Sequence, residues 1–420
     1  MTLLQVDDLT AEQDCLYTLV IKHADGSREA RVIGSIVDYV FAPDDPVAAI
    51  ERMARPEVRI VSMTVTEGGY NFDQVTGEFV ADNPAIRHDL AHPQAPTTIF
   101  GYLTAALKLR RERGIPPFTV MSCDNIQGNG HVARRMLVAY ARLTGDEFAD
   151  WIGSSVHFPN SMVDRITPVT TDADRAEVAD TFGIRDAWPV VAEPFFQWVL
   201  EDEFGAGRPP WEQAGVQVVP DVEPYELMKL RLLNASHQAM AYFGYLAGYR
   251  YAHEAAQDPA IVSLLAGYMA EATPTLRPVP GVDLAGYQRE LIERFSNPEV
   301  RDTLARLCAE TSDRIPKWLL PVVRENLAAG RPVVLAAAVC ASWARYAEGV
   351  DEKGAPIDVV DRLADRVTAA ARRYPDDPAA FLRDPQLFGD LVDEPDFRLP
   401  YLAALKSLHE QGAAATLLTL

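Results

Sequence analysis

Two short apolar runs constrain this chain more than any other feature: VRIVSMTV at 58–65 and FTVMSC at 118–123. Each is continuous rather than alternating and too short for a buried helix, the pattern of a strand covered on both faces. Such strands pair in parallel, and parallel pairing requires a long crossover, usually a helix. The flanking residues supply one after each run. Between the runs, Thr97 to Arg113 places Ile99, Leu103, Ala106 and Leu107 on one stripe, and VARRMLVAYARL follows the second run. Upstream, CLYTLVIKH (15–23) and ARVIGSIVDYVFA (30–42) read as strands joined at an Asp25-Gly26 turn, and Asp44 and Asp45 lead a helix into PVAAIERMAR.

The second half has another character. From Pro224 onward the apolar period is helical, over 224–251, 258–271, 284–295, 316–329, 331–348 and 357–373. The Gly- and Pro-rich stretch 205–224 separates the two regimes. The predicted architecture is an α/β domain over residues 1–219, with a parallel sheet covered by helices, followed by an all-α domain over 220–420.

Charge and cysteine usage narrow the partners. Sixty acidic against 39 basic residues give −21, which argues against a phosphate-backbone or anionic-membrane binder. Cys15, Cys123, Cys308 and Cys340 lie far apart, as reduced thiols would, and form neither a zinc pattern nor a disulfide framework. The start has no basic region followed by an apolar one, and no run of eighteen apolar residues occurs, so a cytoplasmic location is expected.

Two motifs carry little. Gly128-x-Gly130-x-x-Ala133 resembles a dinucleotide fingerprint, but five residues separate it from Cys123, which favours a Gly-rich loop and helix start. His88-x-x-x-His92 has metal-ligand spacing, yet Pro84, Pro93 and Asp89 favour a loop over a metal site. More is carried by PYELMKLRLLNASHQAMAYFGYLAGY (224–249). At 100° per residue, Glu226, Lys229, Asn234 and His237 fall within roughly a 140° sector of one apolar helix. A lysine buried there loses proton affinity and approaches general-base range, an Asn amide can donate to an oxyanion, and His can orient a hydroxyl. A wet helix face with a snorkelling Lys and a hydrogen-bonded core His explains the same spacing. Polar clusters also close both strands, Thr66-Glu67-Gly68-Gly69-Tyr70 after the first and Ser122-Cys123-Asp124-Asn125 after the second. Ligands of parallel sheets sit at strand C-terminal ends, although caps and turns use the same residue types.

KLRLLNASH, with Lys229, Asn234 and His237 spaced K-x-x-x-x-N-x-x-H, resembles the signature of the mannitol dehydrogenase family, the polyol-specific long-chain dehydrogenases. The resemblance extends in order through TEGGY (66–70), SCDNIQGNG (122–130), PNSMVDRITP (159–168), GRPPWEQAGVQVVPDVEPYE (207–226) and DRIPKWLLP (313–321). It implies a Rossmann-like domain followed by a helical one, and zinc-independent, NAD-linked interconversion of a sugar alcohol and a ketose of the mannitol/fructose type. NADP is not excluded by it, and no metal is implied. Lys229 would be the general base, Asn125 and Asn234 the oxyanion hole, His237 the orienting group and Glu226 the link to solvent protons. Thr66, Glu67 and Asp164 would meet the cofactor, and Arg306 and Arg314 the substrate hydroxyls, with a surface salt bridge as the other reading of the two arginines. The implied partner is a small polyol or ketose, with neither nucleic acid nor membrane. The oligomeric state is left open. A hexuronate reductase of the fructuronate or tagaturonate type, a pentitol dehydrogenase, and an inactive binding module are the alternative expectations.

Family members open with a strand and a glycine-rich turn that receives the cofactor pyrophosphate, whereas LLQVDDLTAEQDCLYTLV resembles the family only from beyond that point. The expectation is that roughly sixty to seventy residues, the first βαβ element, belong before it. Either Met1 is then not the true start, or the chain is a truncated gene product.

Overall fold

The computed structural model describes residues 13–73 and 76–420, apart from the side chain of Glu67. In the first half the elements run β1 (Tyr17–Lys22), β2 (Arg28–Ile33), α1 (Pro46–Ala54), β3 (Ile60–Met63), α2 (Pro84–Ala91), α3 (Ile99–Glu112), β4 (Thr119–Ser122), α4 (Asn129–Arg142) and α5 (Asp146–Ser155). They continue with β5 (Ser161–Asp164), α6 (Asp172–Phe182), β6 (Val190–Ala192), β7 (Gln197–Glu201) and β8 (Gln217–Val219). The expected parallel pairing is present between β3 and β4, in register from Ile60 with Thr119 to Met63 with Ser122. The other strands do not extend this pair into one sheet. They form two mixed sheets, ordered β2-β1-β6 and β5-β7-β8.

Every residue of β4 is buried, as its apolar run predicts. In β3 only Met63 is, which corrects the expectation of a strand covered on both faces. The reason lies in its pairing: among the described residues β3 has β4 on one side and no strand on the other. The upstream hairpin turns at Gly26, whose φ of +85° suits glycine, and β2 ends at Ile33, well short of the predicted Ala42. The segment containing His88 and His92 is also corrected. It is helical, because Asn83 caps α2 and the buried Asp89 accepts four hydrogen bonds from Thr97 and Thr98.

The Gly-rich segment at 128–133 opens α4. Gly128 has φ +60°, and Asn129 is stitched to β5 through Ser161 N (2.9 Å) and Ser161 O (2.8 Å). A Cβ on Gly130 would lie 2.4 Å from the Phe158 carbonyl oxygen and 2.5 Å from that of Pro159. Both are backbone atoms that cannot swing aside. Gly130→Ala is therefore expected to cost about 1–3 kcal/mol, read as a lower urea midpoint at unchanged slope.

The second half begins with α7 (Glu223–Met228), a π turn (Lys229–Asn234) and α8 (Ala235–Leu246) in one continuous rod. Around it pack α9 (Pro259–Ala272), α10 (Leu284–Phe295), α11 (Thr311–Trp318), α12 (Leu320–Ala328), α13 (Val334–Ala347), α14 (Ala364–Ala371) and α15 (Pro395–Gln411). The predicted helix 316–329 is broken at Leu319, between α11 and α12, and 357–373 shortens to α14. The rod is buried nearly all round, which explains why its apolar residues show no single stripe. Among the described residues no helix is long and apolar enough to cross a membrane.

Candidate active site

The site is assembled where the two parallel strand ends meet the rod. Asp124, just beyond β4, accepts from Val65 N (3.0 Å), Thr66 N (2.8 Å) and Tyr70 Oη (2.7 Å). This carboxylate ties the end of β3 to the end of β4 and holds Thr66 at φ +61°, leaving the neighbouring Asn125 exposed. The two polar clusters recognised in the sequence are thus one structure.

The π turn changes the helical arithmetic. Ala235 N bonds Leu230 O, an i to i−5 bond, so residues five apart are stacked along the rod. Lys229 and Asn234, 140° apart on an ideal α-helix, share one face. With Leu233 and His237 they line a cavity of about 620 Å³. Its other walls are the end of β5 with Val163 and Asp164, Trp198 of β7, and Asp302, Arg306, Arg314 and Trp318 of the helical half. A second cavity, about 760 Å³, opens on the strand ends and is lined by Thr66, Gly68, Ile126, Gln127, Arg135 and neighbours. Both cavities are bordered by Asn125, Arg314 and Trp318. A reaction between a group in one and a group in the other must take place at this junction.

Lys229, 6% exposed, lines the first cavity and reaches this junction through Asn125. Its Nζ donates to Asn125 Oδ1 (3.1 Å) and to the Val163 carbonyl. Burial pushes its pKa below the usual lysine value; Asp164 and Glu226 oppose that shift and Arg294 adds to it. A neutral amine has two N–H groups and one lone pair. With both N–H groups engaged, the lone pair is the part left to take a proton. Because Asn125 accepts from Lys229 through Oδ1, its Nδ2 is turned away as a donor. Asn234 Nδ2 is buried with no hydrogen-bond partner. Asn234 itself lines the first cavity, and an orphaned donor costs about 1–3 kcal/mol in a folded protein. His237 packs against Phe295, and burial lowers its pKa to about 4, so it is neutral near pH 7 and can donate or accept.

The remaining predicted residues divide. Arg306 and Arg314 both line the first cavity. Arg306 pairs with Asp302 (Nε to Oδ1 2.6 Å), and Arg314 donates to the Leu307 carbonyl (3.0 Å). Thr66 borders the second cavity; the side chain of Glu67 lies outside the described set. Asp164 reaches the first cavity wall but is held by Arg294. Glu226 is absent from both large cavities. It accepts from Gly128 N (3.1 Å to Oε2) and borders a void of about 10 Å³ shared with Lys229, room for roughly one water.

Burial raises the Glu226 pKa to about 7. Between the ordinary value of 4.5 and about 7 the folded chain binds the extra proton, so its stability falls as pH rises through that window. Glu226→Gln removes this loss. It is expected to stabilise the protein at pH 8 relative to pH 5 by an additional amount on the order of 2–3 kcal/mol, measured by urea unfolding at both pH values. Equal effects at the two pH values would contradict the raised pKa.

The sequence reading missed Arg294 and Glu193. A signal existed for the first: Arg294 falls at i+3 from Leu291 and i+7 from Tyr287, a cation on the buried stripe of α10.

The chain is similar to known proteins over nearly its whole length. The profile of the mannitol dehydrogenase Rossmann domain matches residues 2–213, and that of the mannitol dehydrogenase C-terminal domain matches residues 221–409. Mannitol dehydrogenase 2 of Saccharomyces cerevisiae is 49% identical over 414 residues, 98% of this chain and 82% of that protein. The Pseudomonas fluorescens mannitol 2-dehydrogenase ternary complex with NAD and D-mannitol superposes with TM-score 0.88 at 47% identity, over 98% of this chain and 84% of that one. A substrate-free D-sorbitol dehydrogenase matches with TM-score 0.87 at 37% identity, over 98% and 85%.

Proposed function

Because this chain belongs to the mannitol dehydrogenase family, we propose that it oxidises a D-mannitol-type polyol to the ketose with NAD, Lys229 serving as general base. The observation that carries this reading is the junction itself. A buried, proton-poor amine and a residue with an unpartnered amide donor line the first cavity, and the amine is bonded to Asn125, which borders both cavities.

The residues around the second cavity fit a dinucleotide. It opens at the C-terminal ends of a parallel strand pair, where such ligands bind, and Thr66, Gln127 and Arg135 would hold it with a hydroxyl, an amide and a cation. When bound, NAD supplies the acceptor for the hydrogen and electron pair leaving the carbinol carbon. The chain's own part is proton management and positioning. Lys229 Nζ takes the hydroxyl proton as charge develops on oxygen, Asn125 and Asn234 donate to that oxygen, and neutral His237 orients the hydroxyl. Glu226, beside Lys229 and poised near neutrality, passes the proton on through the small void.

The test is a substrate panel on the purified chain with NAD: D-mannitol, D-sorbitol, a pentitol and, in the reductive direction, D-fructuronate. The largest kcat/KM is expected for D-mannitol. Folded protein that oxidises none of the polyols would refute the proposal.

A further inference from the structure

One buried cation of the helical half is gripped by two carboxylates of the α/β half, directly beside Lys229. Arg294, near the end of α10 and 8% exposed, donates to Asp164 through Nη1 (2.9 Å) and Nη2 (3.1 Å). It also donates to Glu193 through Nε (3.0 Å) and Nη2 (2.8 Å). Its guanidinium lies 3.8 Å from the ring centre of Phe195, and Glu193 accepts from Ile166 N (2.6 Å). Asp164 directly follows Val163, whose carbonyl receives the Lys229 amine.

We propose that Arg294 is a positioning residue for Lys229: it occupies both oxygens of Asp164, so that this carboxylate cannot capture the amine as an ion pair, and it anchors the Val163 carbonyl. The inference rests on the reading of Lys229 as base. The physical logic is competition. Four charge-assisted bonds fill the planar guanidinium fork, a match that a point-charge ammonium cannot reproduce. Without Arg294, Asp164 loses the cation that occupies both its oxygens; Arg165 is already bonded to the Glu193 carbonyl (Nε, 3.1 Å), and a protonated Lys229, held on the adjacent Val163 carbonyl, is the cation placed to answer Asp164.

The charged and titratable groups around Lys229 are Glu226 and His237 on its own rod, Asp164 on β5 with Arg165 just after it, Arg294 on α10 with Glu193 behind it, and Asp302, Arg306 and Arg314 across the cavity. Burial favours the free amine, Asp164 and Glu226 favour the ammonium, and Arg294 opposes them. Removing Arg294 therefore favours the ammonium, whereas removing the Glu193 charge, with the guanidinium left in place, favours the amine.

The chain has six lysines, so carbon-13 at the lysine Cε can be titrated by NMR in the chain without added cofactor, Lys229→Ala identifying the signal. Arg294→Gln is expected to raise the Lys229 midpoint by about one pH unit, a tenfold loss of free amine. Arg294→Lys should recover part of that shift, and Glu193→Gln should move the midpoint the opposite way. Glu193→Gln carries the test even if Arg294→Gln fails to fold. An unchanged midpoint in folded Arg294→Gln, or shifts of one sign in both Gln variants, overturns the proposal. The pH profile of kcat/KM separates the two readings. If the Lys229 midpoint moves and the acidic limb does not, the clamp stands and the base assignment falls.

Discussion

In Lys229→Ala protein, polyol oxidation is expected to slow by about 10²- to 10⁴-fold in kcat, the range lost with a positioned general base. The argument is local. Burial keeps the Lys229 amine below its ordinary pKa, and Asn125 and Val163 occupy its N–H groups. Of the groups nearby, Glu226 lies outside both large cavities, and His237, whose pKa burial lowers to about 4, is a poor acceptor for an alcohol proton. The pH profile adds a second readout. In the wild-type chain kcat/KM should rise with pH as Lys229 loses its proton, and the alanine variant should lose that limb. Unchanged far-UV circular dichroism would separate this from unfolding, and a rate within a few-fold of wild type would refute the assignment.

The second large effect is expected at Asn234. Its Nδ2 has no partner in the folded chain, so Asn234→Ala removes an unsatisfied group and should leave stability equal or slightly higher. Turnover should nevertheless fall by about 10²- to 10³-fold, the cost of one oxyanion donor. Stability retained while kcat collapses is the signature of a donor reserved for a transition state. A loss of stability with normal kcat would mark Asn234 as a packing residue instead.

Much of this site is legible in the sequence because its parts are short and local. Lys229, Asn234 and His237 lie on one rod, and Asn125 follows a strand whose apolar run is unmistakable. The helices around the rod are readable too, since the periodicity of amphipathic faces survives in a single sequence. Strands β5 to β8 are not readable in this way. They are three to five residues long, too short to show a period, and the sheets they form depend on distant partners. The π turn leaves no compositional mark either, so a reading at 100° per residue splays Lys229 and Asn234 that the backbone stacks.

The amino-acid order by itself determined which chemical groups were present and which neighbours they kept: an amine, two amides and an imidazole within reach of two polar strand ends. Tertiary structure alone decided their states. Lys229 bonds a carbonyl 66 residues away, and the Arg294–Asp164 pair spans 130. Protonation is set by desolvation and by Coulomb fields, and both depend on distance in space rather than along the chain. A lysine in a sequence is therefore only an amine, and its proton affinity is set by the water the fold removes and the charges it places nearby.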